Sequence, residues 1–306
     1  MKKRRARNKV RLTSRRLKGG KSTRRRKWGR EKRGVLKQWR FRRSRIAIPR
    51  ASVDYTLIMQ KNKEELSVII ASCHREESAV EQTIEQLLRN VQKIQPKEII
   101  VVENSSTNTI LTQCLKYGAL CFSYGHLLGP DVGRAIGALK ATGSILLFID
   151  ADMLLSPEEM LPFVAECYGS KDIVLNNMNP YRKRYVPIDS VRIAKSFLNR
   201  ILRIPELKDS SLTEVPHAMK KSAVDLIGAD NLCVPPKAMA IAVLRGLKIG
   251  HVAGVNVIKK NRIIPSNSSD VEQMILGDHV EALYYIQQSV GNRGFFTDAT
   301  RRLDLL

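Results

Sequence analysis

The sequence predicts an α/β fold, a mainly parallel sheet with helices on both faces, carried behind a disordered basic N-terminal tail. Three observations predict it. From Leu66 onward short apolar runs rich in β-branched residues alternate with helical patterns, which is the signature of strands joined by crossover helices. Nearly all the net charge lies in the first 50 residues, which hold 24 Lys or Arg against one acid, Glu31. The remainder is close to neutral, with 29 bases and 28 acids, and the chain as a whole is 43% hydrophobic. That is enough apolar material for a full core.

The tail, residues 1–48, has almost no apolar periodicity, and like charges at such density repel. Trp28, Trp39 and Phe41 stand among the bases, a mixture suited to an anionic surface. Aromatics enter a lipid interface or stack on bases while the cations attract from a distance. An anionic membrane is the leading partner, and nucleic acid is less favoured. Gly19-Gly20-Lys21-Ser22-Thr23 has the ending of a phosphate-binding loop, but Arg15 replaces its first glycine and no strand precedes it. Pro49 marks the end of the tail, and residues 49–64 read as a linker.

Leu66–Ala71 is a compact apolar run suited to a buried parallel strand. Ser78 and Glu81 have capping-box spacing, and Val80, Ile84, Leu87, Leu88 and Val91 follow on one helical face. Glu98–Glu103 is a second strand with a polar turn after it, and Leu111 and Leu115 mark a helix before a third strand at Ala119–Tyr124. Gly133–Ala141 reads as a helix and Ile145–Ile149 as a fourth buried strand. Ser156-Pro157-Glu158-Glu159 starts the next helix with a cap, a proline and an acid. Asp172–Leu175 is a fifth strand. The five cysteines (Cys73, Cys114, Cys121, Cys167 and Cys233) are widely spaced without a C-x-x-C pair. That argues against a disulfide framework or zinc site and for a reducing cytoplasm. No apolar window is long enough to span a membrane, and no apolar stretch comes after the basic start as in a signal peptide.

Ligands of such folds sit at the carboxyl ends of the strands, which directs attention to Ser72–Glu77, Glu103–Asn108 and Asp150-Ala151-Asp152. Asp150 and Asp152 flank one small residue, and residues two apart in extended chain share a side. Two close carboxylates repel unless a cation neutralises them, and hard Mg²⁺ or Mn²⁺ prefers carboxylate and phosphate oxygens. A strand-end turn or helix cap also explains many Asp-x-Asp triplets.

The surroundings of the triplet weigh against those bland readings. Leu66–Glu77, Glu98–Asn108, Gly129–Gly137 and Thr142–Asp152 resemble, in order, four motifs of the family 2 glycosyltransferases of GT-A fold. The resemblance covers residues 65–180, a nucleotide-sugar-binding half, and thins over 181–306, the acceptor-binding half. It implies that Ala71, Ser72 and Glu76 line the nucleotide pocket and that Glu103 receives the base or ribose. Arg134 would support the donor pocket or its phosphates, Asp150 would face the ribose or sugar, and Asp152 would hold the metal. The structural alternatives stay open: Glu76 suits the first turn of a helix, and Arg134 suits a surface ion pair. The chain departs from the family with Ala71-Ser72-Cys73-His74 for its usual Pro-Thr-Tyr-Asn and with Glu103-Asn104 for an Asp pair.

A larger departure lies further along the chain. Ala218–Gly228 resembles the segment leading to the family's Glu-Asp pair, yet Cys233-Val-Pro-Pro-Lys237 has no carboxylate. An inverting transfer needs a base, and Asp230 and Asp278 are the nearest candidates. His279 is a further candidate metal ligand, though one histidine on a helix is more often exposed or paired. Arg293, Arg301 and Arg302 either close over a diphosphate or form a solvated basic terminus. The implied function is a metal-dependent, inverting transfer of sugar from a nucleoside diphosphate sugar to an envelope, polysaccharide or lipid-linked acceptor. The expected place is the cytoplasm, peripherally at the inner face of the membrane. A non-catalytic nucleotide-sugar-binding or anchoring protein and a tail-led nucleic-acid-binding protein are the alternatives.

Overall fold

A computed structural model describes residues 56–72, 77–104, 108–126, 128–129, 131–181, 189–260, 268–298 and 301. The basic tail, Cys73, Glu76 and Arg302 lie outside the described residues, as do their expected roles.

The chain order is α1 (Thr56–Glu65), β1 (Leu66–Ala71), α2 (Glu77–Lys93), β2 (Glu98–Asn104), α3 (Asn108–Lys116), β3 (Leu120–Tyr124) and α4 (Val132–Lys140). It continues through β4 (Ile145–Asp150), α5 (Pro157–Tyr168), β5 (Ile173–Asn177), α6 (Ser190–Ile201), β6 (His217–Lys220) and α7 (Lys221–Ile227). The described chain ends with α8 (Pro235–Leu244), β7 (Ile249–Ala253), α9 (Val257–Lys260) and α10 (Ser268–Val290). All seven strands form one sheet in the order β3-β2-β1-β4-β6-β5-β7. Among the described strands β6 alone runs antiparallel, to its neighbours β4 and β5.

The predicted strands stand with small boundary shifts, and β1 is buried at every position, as its unbroken apolar run requires. Two sequence readings need correction. The linker read over 49–64 is helical from Thr56. Asn62 holds it there, donating to Ile94 O at 2.8 Å and accepting from the Tyr168 hydroxyl at 3.1 Å. Tertiary contact, rather than an amphipathic pattern, makes this helix. Ser78 falls inside α2 rather than capping it, because the helix already begins at Glu77, where an acid suits the dipole. The cap of α5 is as read, with Glu159 reaching back to the Ser156 amide at 2.8 Å.

The order 3-2-1-4 reverses direction of winding between β1 and β4, which opens a crevice at their carboxyl ends. The register puts Ala71 level with Asp150 on one side and with Val102 on the other. Helix α4 lies close on the sheet because it meets it with glycines. A Cβ at Gly137 would overlap Ile69 Cγ2, and one at Gly133 would sit 3.4 Å from Ala71 Cβ. Ile69, Ala71 and Val102 therefore face α4, and alternation turns Glu103 to the opposite face. Strand β6, from beyond residue 180, sits between β4 and β5, so the sheet is continuous across the two halves read from sequence.

Candidate active site

The crevice is lined by the residues that leave the carboxyl ends of β1 and β4. The Ala151 amide donates to Ala71 O at 2.9 Å, and the buried Ser72 donates its own amide to Val102 O at 2.8 Å. The turn after β4 is fastened from three directions. Met153 N bonds Asp150 O at 3.1 Å, and the Thr83 hydroxyl donates to Ala151 O at 3.0 Å. Lys260, at the end of α9, bonds Leu154 O and Glu159, each at 2.7 Å. Asp152 is half-buried on this fixed turn.

Arg134 is the electrostatic centre. It is 7% exposed, so it is not the surface ion-pair partner that the sequence left open. Its guanidinium grips Asp150 through both carboxylate oxygens, at 3.0 and 3.2 Å. Its other terminal nitrogen bonds Asp131, which is itself buried. One terminal nitrogen thus bridges both Asp150 oxygens while the other holds Asp131, and charge on both partners strengthens each contact. Burial pushes the Asp131 carboxyl up to about 6, against the pull of Arg134 and with the push of Asp150 and Asp278. Asp150 thus presents its carboxylate to Arg134 on the α4 face.

A small cavity beneath this cluster is bounded by Asp131, Arg134, Phe148, Leu212, His217, Leu232 and Pro235. His217 stacks on Phe148, its partner across the β4–β6 ladder, with ring centroids 4.8 Å apart. Its Nδ1–H donates to Glu214 O at 2.9 Å. The chain beyond residue 180 adds ion pairs nearby: buried Lys195 with Glu214 at 3.1 Å and half-buried Arg192 with Asp209 at 3.1 Å.

The two base candidates separate. Asp278, on α10, is half-buried, and burial with help from Glu281 raises its carboxyl to about 6. Its charge is felt at Asp131, so it belongs to the Arg134 neighbourhood. Asp230 is exposed on a 3-10 turn, Ala229–Cys233. His279 is buried with Nδ1 bonded to Ile275 O at 2.7 Å, and burial lowers its pKa. Arg293 and Arg301 both pair with Asp298. Glu103, at the end of β2, is 0% exposed, and neither of its oxygens accepts a hydrogen bond from a described residue.

Sequence reading missed Asp131, His217, Lys195 and Glu214. Asp131 left one signal, an acid three residues before a helical arginine. The other three depend on α6 and β6 folding back against β4, which no local pattern announces.

Among the described residues no three His, Cys, Asp or Glu side chains gather as a metal site. Asp150 is engaged by Arg134, and Asp152 is the second carboxylate of the turn. One carboxylate is a poor cage by itself but a usual share of a cation that also takes phosphate oxygens.

Residues 67–223 match the family described as Glycosyl transferase family 2, just over half of the chain. The chain belongs to that family. Among solved structures it is similar to glucosyl-3-phosphoglycerate synthase from Mycobacterium tuberculosis in complex with Mn²⁺, UDP-glucose and phosphoglyceric acid. That pair is 16% identical, with 72% of this chain and 79% of that chain covered and a TM-score of 0.54. It is also similar to mannosyl-3-phosphoglycerate synthase from Rubrobacter xylanophilus, at 11% identity, 81% and 83% coverage and a TM-score of 0.55. At these identities the likeness is one of fold, and the fold is of GT-A type. No curated protein sequence matches the chain.

Proposed function

We propose that this glycosyltransferase moves a sugar from a nucleoside diphosphate sugar to an acceptor hydroxyl with inversion, and that Asp152 binds the divalent cation of the diphosphate. The observation that carries the reading is the buried Asp131–Arg134–Asp150 cluster at the β1/β4 crevice, with Asp152 on the pinned turn beside it. The solved structures of similar fold bind Mn²⁺ or Mg²⁺ together with UDP, which supports a cation of that kind here. When bound, Mg²⁺ or Mn²⁺ supplies charge neutralisation at the departing diphosphate.

The chain's own residues do the rest. Arg134 holds the Asp150 carboxylate in one direction and offsets its charge at the crevice. Ala71 and Ser72 form the wall of the nucleotide pocket, with Glu103 behind it. Asp278 is the proposed base. A carboxyl raised to about 6 is mostly ionised at neutral pH yet basic enough to accept a proton. The acceptor oxygen attacks the anomeric carbon, its proton passes to Asp278, and the bond from that carbon to the diphosphate oxygen breaks on the opposite face. The glucosyl-3-phosphoglycerate synthase structures hold phosphoglyceric acid; a saccharide or lipid-linked acceptor is the reading the cationic tail favours here.

The test uses purified full-length protein with Mn²⁺ and a panel of UDP-, GDP- and dTDP-sugars. Donor and Mn²⁺ together should raise the melting temperature, because a ligand of the folded state stabilises it. Asp152→Ala should lose the Mn²⁺-dependent part of that rise and about 10²-fold or more of the transfer rate. Full activity in that variant would remove the metal assignment. Donor binding without transfer to any acceptor would favour a non-catalytic binding protein.

A further inference from the structure

Helices α6 and α10 leave large apolar side chains to solvent. Ile193 and Phe197 stand one turn apart on α6, Val280 and Tyr284 one turn apart on α10, and each is more than half exposed. Single exposed apolar residues are ordinary, but paired stripes on neighbouring helices mark a contact surface. The two helices run side by side in the same direction. Ser190 bonds Glu272 near their starts, and a Cβ at Gly294 would meet Ile201 and Ile286 near their ends, at 3.7 and 3.8 Å. Gly277 belongs to the same stripe of α10 as Val280, and it is exposed with nothing within 4 Å of where its Cβ would stand. A glycine inside a helix is unfavourable relative to alanine, and no described neighbour requires this one. Close approach by another helix would. Charge is divided along the pair: the starts carry Asp189, Asp270 and Glu272, while the ends carry the exposed Arg200 and Arg203. The stripe between them, Ile193, Phe197, Gly277, Val280 and Tyr284, is uncharged.

We propose that this face binds the same face of a second copy of the chain, the helices of the two copies crossing in antiparallel sense about a two-fold axis near Gly277. Such an interface is isologous, so it must complement itself. Reversing the second copy achieves this, because acidic starts then lie against basic ends and the helix dipoles oppose each other. Ser190 is level with Glu272 and Ile201 with Ile286. Arg200 therefore lies about as far past Gly277 as Asp270 lies before it, and the two-fold axis brings it to the partner's Asp270. Phe197 and Tyr284 are aromatic anchors of the kind that hold such interfaces. An anionic membrane fits this face less well, since the acidic starts would meet lipid phosphates. The basic N-terminal segment would be repelled by the basic ends. Nothing in the pairing depends on what the crevice binds.

Sedimentation equilibrium of the full chain tests this, at about 150 mM salt so that the basic segments are screened from each other. The wild type should have the mass of a dimer at low-micromolar concentration. Phe197→Glu and Gly277→Leu should each have the mass of a monomer. The second variant puts a good helix former where the protomer has room, so its loss of the dimer could not come from misfolding. Arg200→Glu alone should weaken the dimer about tenfold, because the lost ion pair occurs twice. Adding Asp270→Arg should restore it. A monomeric wild type, a dimer that persists in both Phe197→Glu and Gly277→Leu, or a charge exchange that fails to restore association would each overturn the proposal. So would capture on anionic vesicles that depends on Phe197 rather than on residues 1–48.

Discussion

His217 lies wholly within the protein, flat against Phe148 and bonded to the Glu214 carbonyl. Burial, with a smaller push from Arg134, lowers its pKa from 6.5 to about 3, so it is a neutral ring throughout the useful pH range. Between pH 6.5 and about 3 the unfolded chain holds the proton and the folded chain does not. The stability due to this group is full above 6.5 and is lost as pH falls, at up to about 1.4 kcal/mol per pH unit. Asp131 acts in the other direction, since its raised pKa of about 6 favours folding as pH falls from 6 towards 4. In His217→Phe, the stability relative to wild type should therefore rise with acidification below pH 6.5 by up to that slope. Denaturant midpoints at several pH values measure it, and a constant difference across the series would contradict the assignment. The residues of this cluster differed in how readable they were. Asp150 and Asp152 announced themselves by their spacing after an apolar strand, and Arg134 by the motif around it. Asp131 and His217 acquire their roles only through partners 3 and 69 residues away, Arg134 and Phe148 respectively, and the longer of those links has no local trace.

Helix α4 positions Arg134 and Asp131 because glycine lets it descend on β1. Gly137 faces the side chain of Ile69, which is wholly buried and stiff at χ1. Alanine there gains about 1 kcal/mol of helix propensity but must displace that side chain. We expect Gly137→Ala to destabilise by about 1–3 kcal/mol and to lower transfer by tilting Arg134 away from Asp150. The check is a double-mutant cycle with Ile69→Ala, in which the cost of the glycine change should largely vanish. Additive costs would mean that the contact is not what sets the helix. At this scale the alternating strands and helices from β1 to β5 were readable from apolar period and turn residues. Strand β6 was not, since His-Ala-Met-Lys is too short to show a period and takes its place from pairing with β4 and β5. Helix α1 was missed for a related reason: its order comes from Asn62 bonding to Ile94 and Tyr168 rather than from a face of its own.

Across the whole molecule the charge is divided unevenly, with residues 1–50 carrying +23 of the formal +24. The described elements run from Thr56 onward. No helix among the described residues is long and apolar enough to cross a membrane; adsorption through the basic segment is the route the composition offers. Each Lys or Arg near an anionic leaflet contributes about 1 kcal/mol, and the attraction fades within a Debye length. Removing residues 1–48 should leave the melting temperature, nucleotide binding and transfer to a water-soluble acceptor unchanged. It should abolish sedimentation with vesicles containing phosphatidylserine, while the full chain sediments in 50 mM salt, on the order of the low-salt range, and is released as salt rises. Zwitterionic vesicles should capture neither form. The competing partner is separated in the same experiment. If duplex or single-stranded nucleic acid strips the full chain from the vesicles at equal charge concentration, the basic segment is a nucleic-acid arm. A truncated chain that still sediments would move the membrane contact into the folded domain.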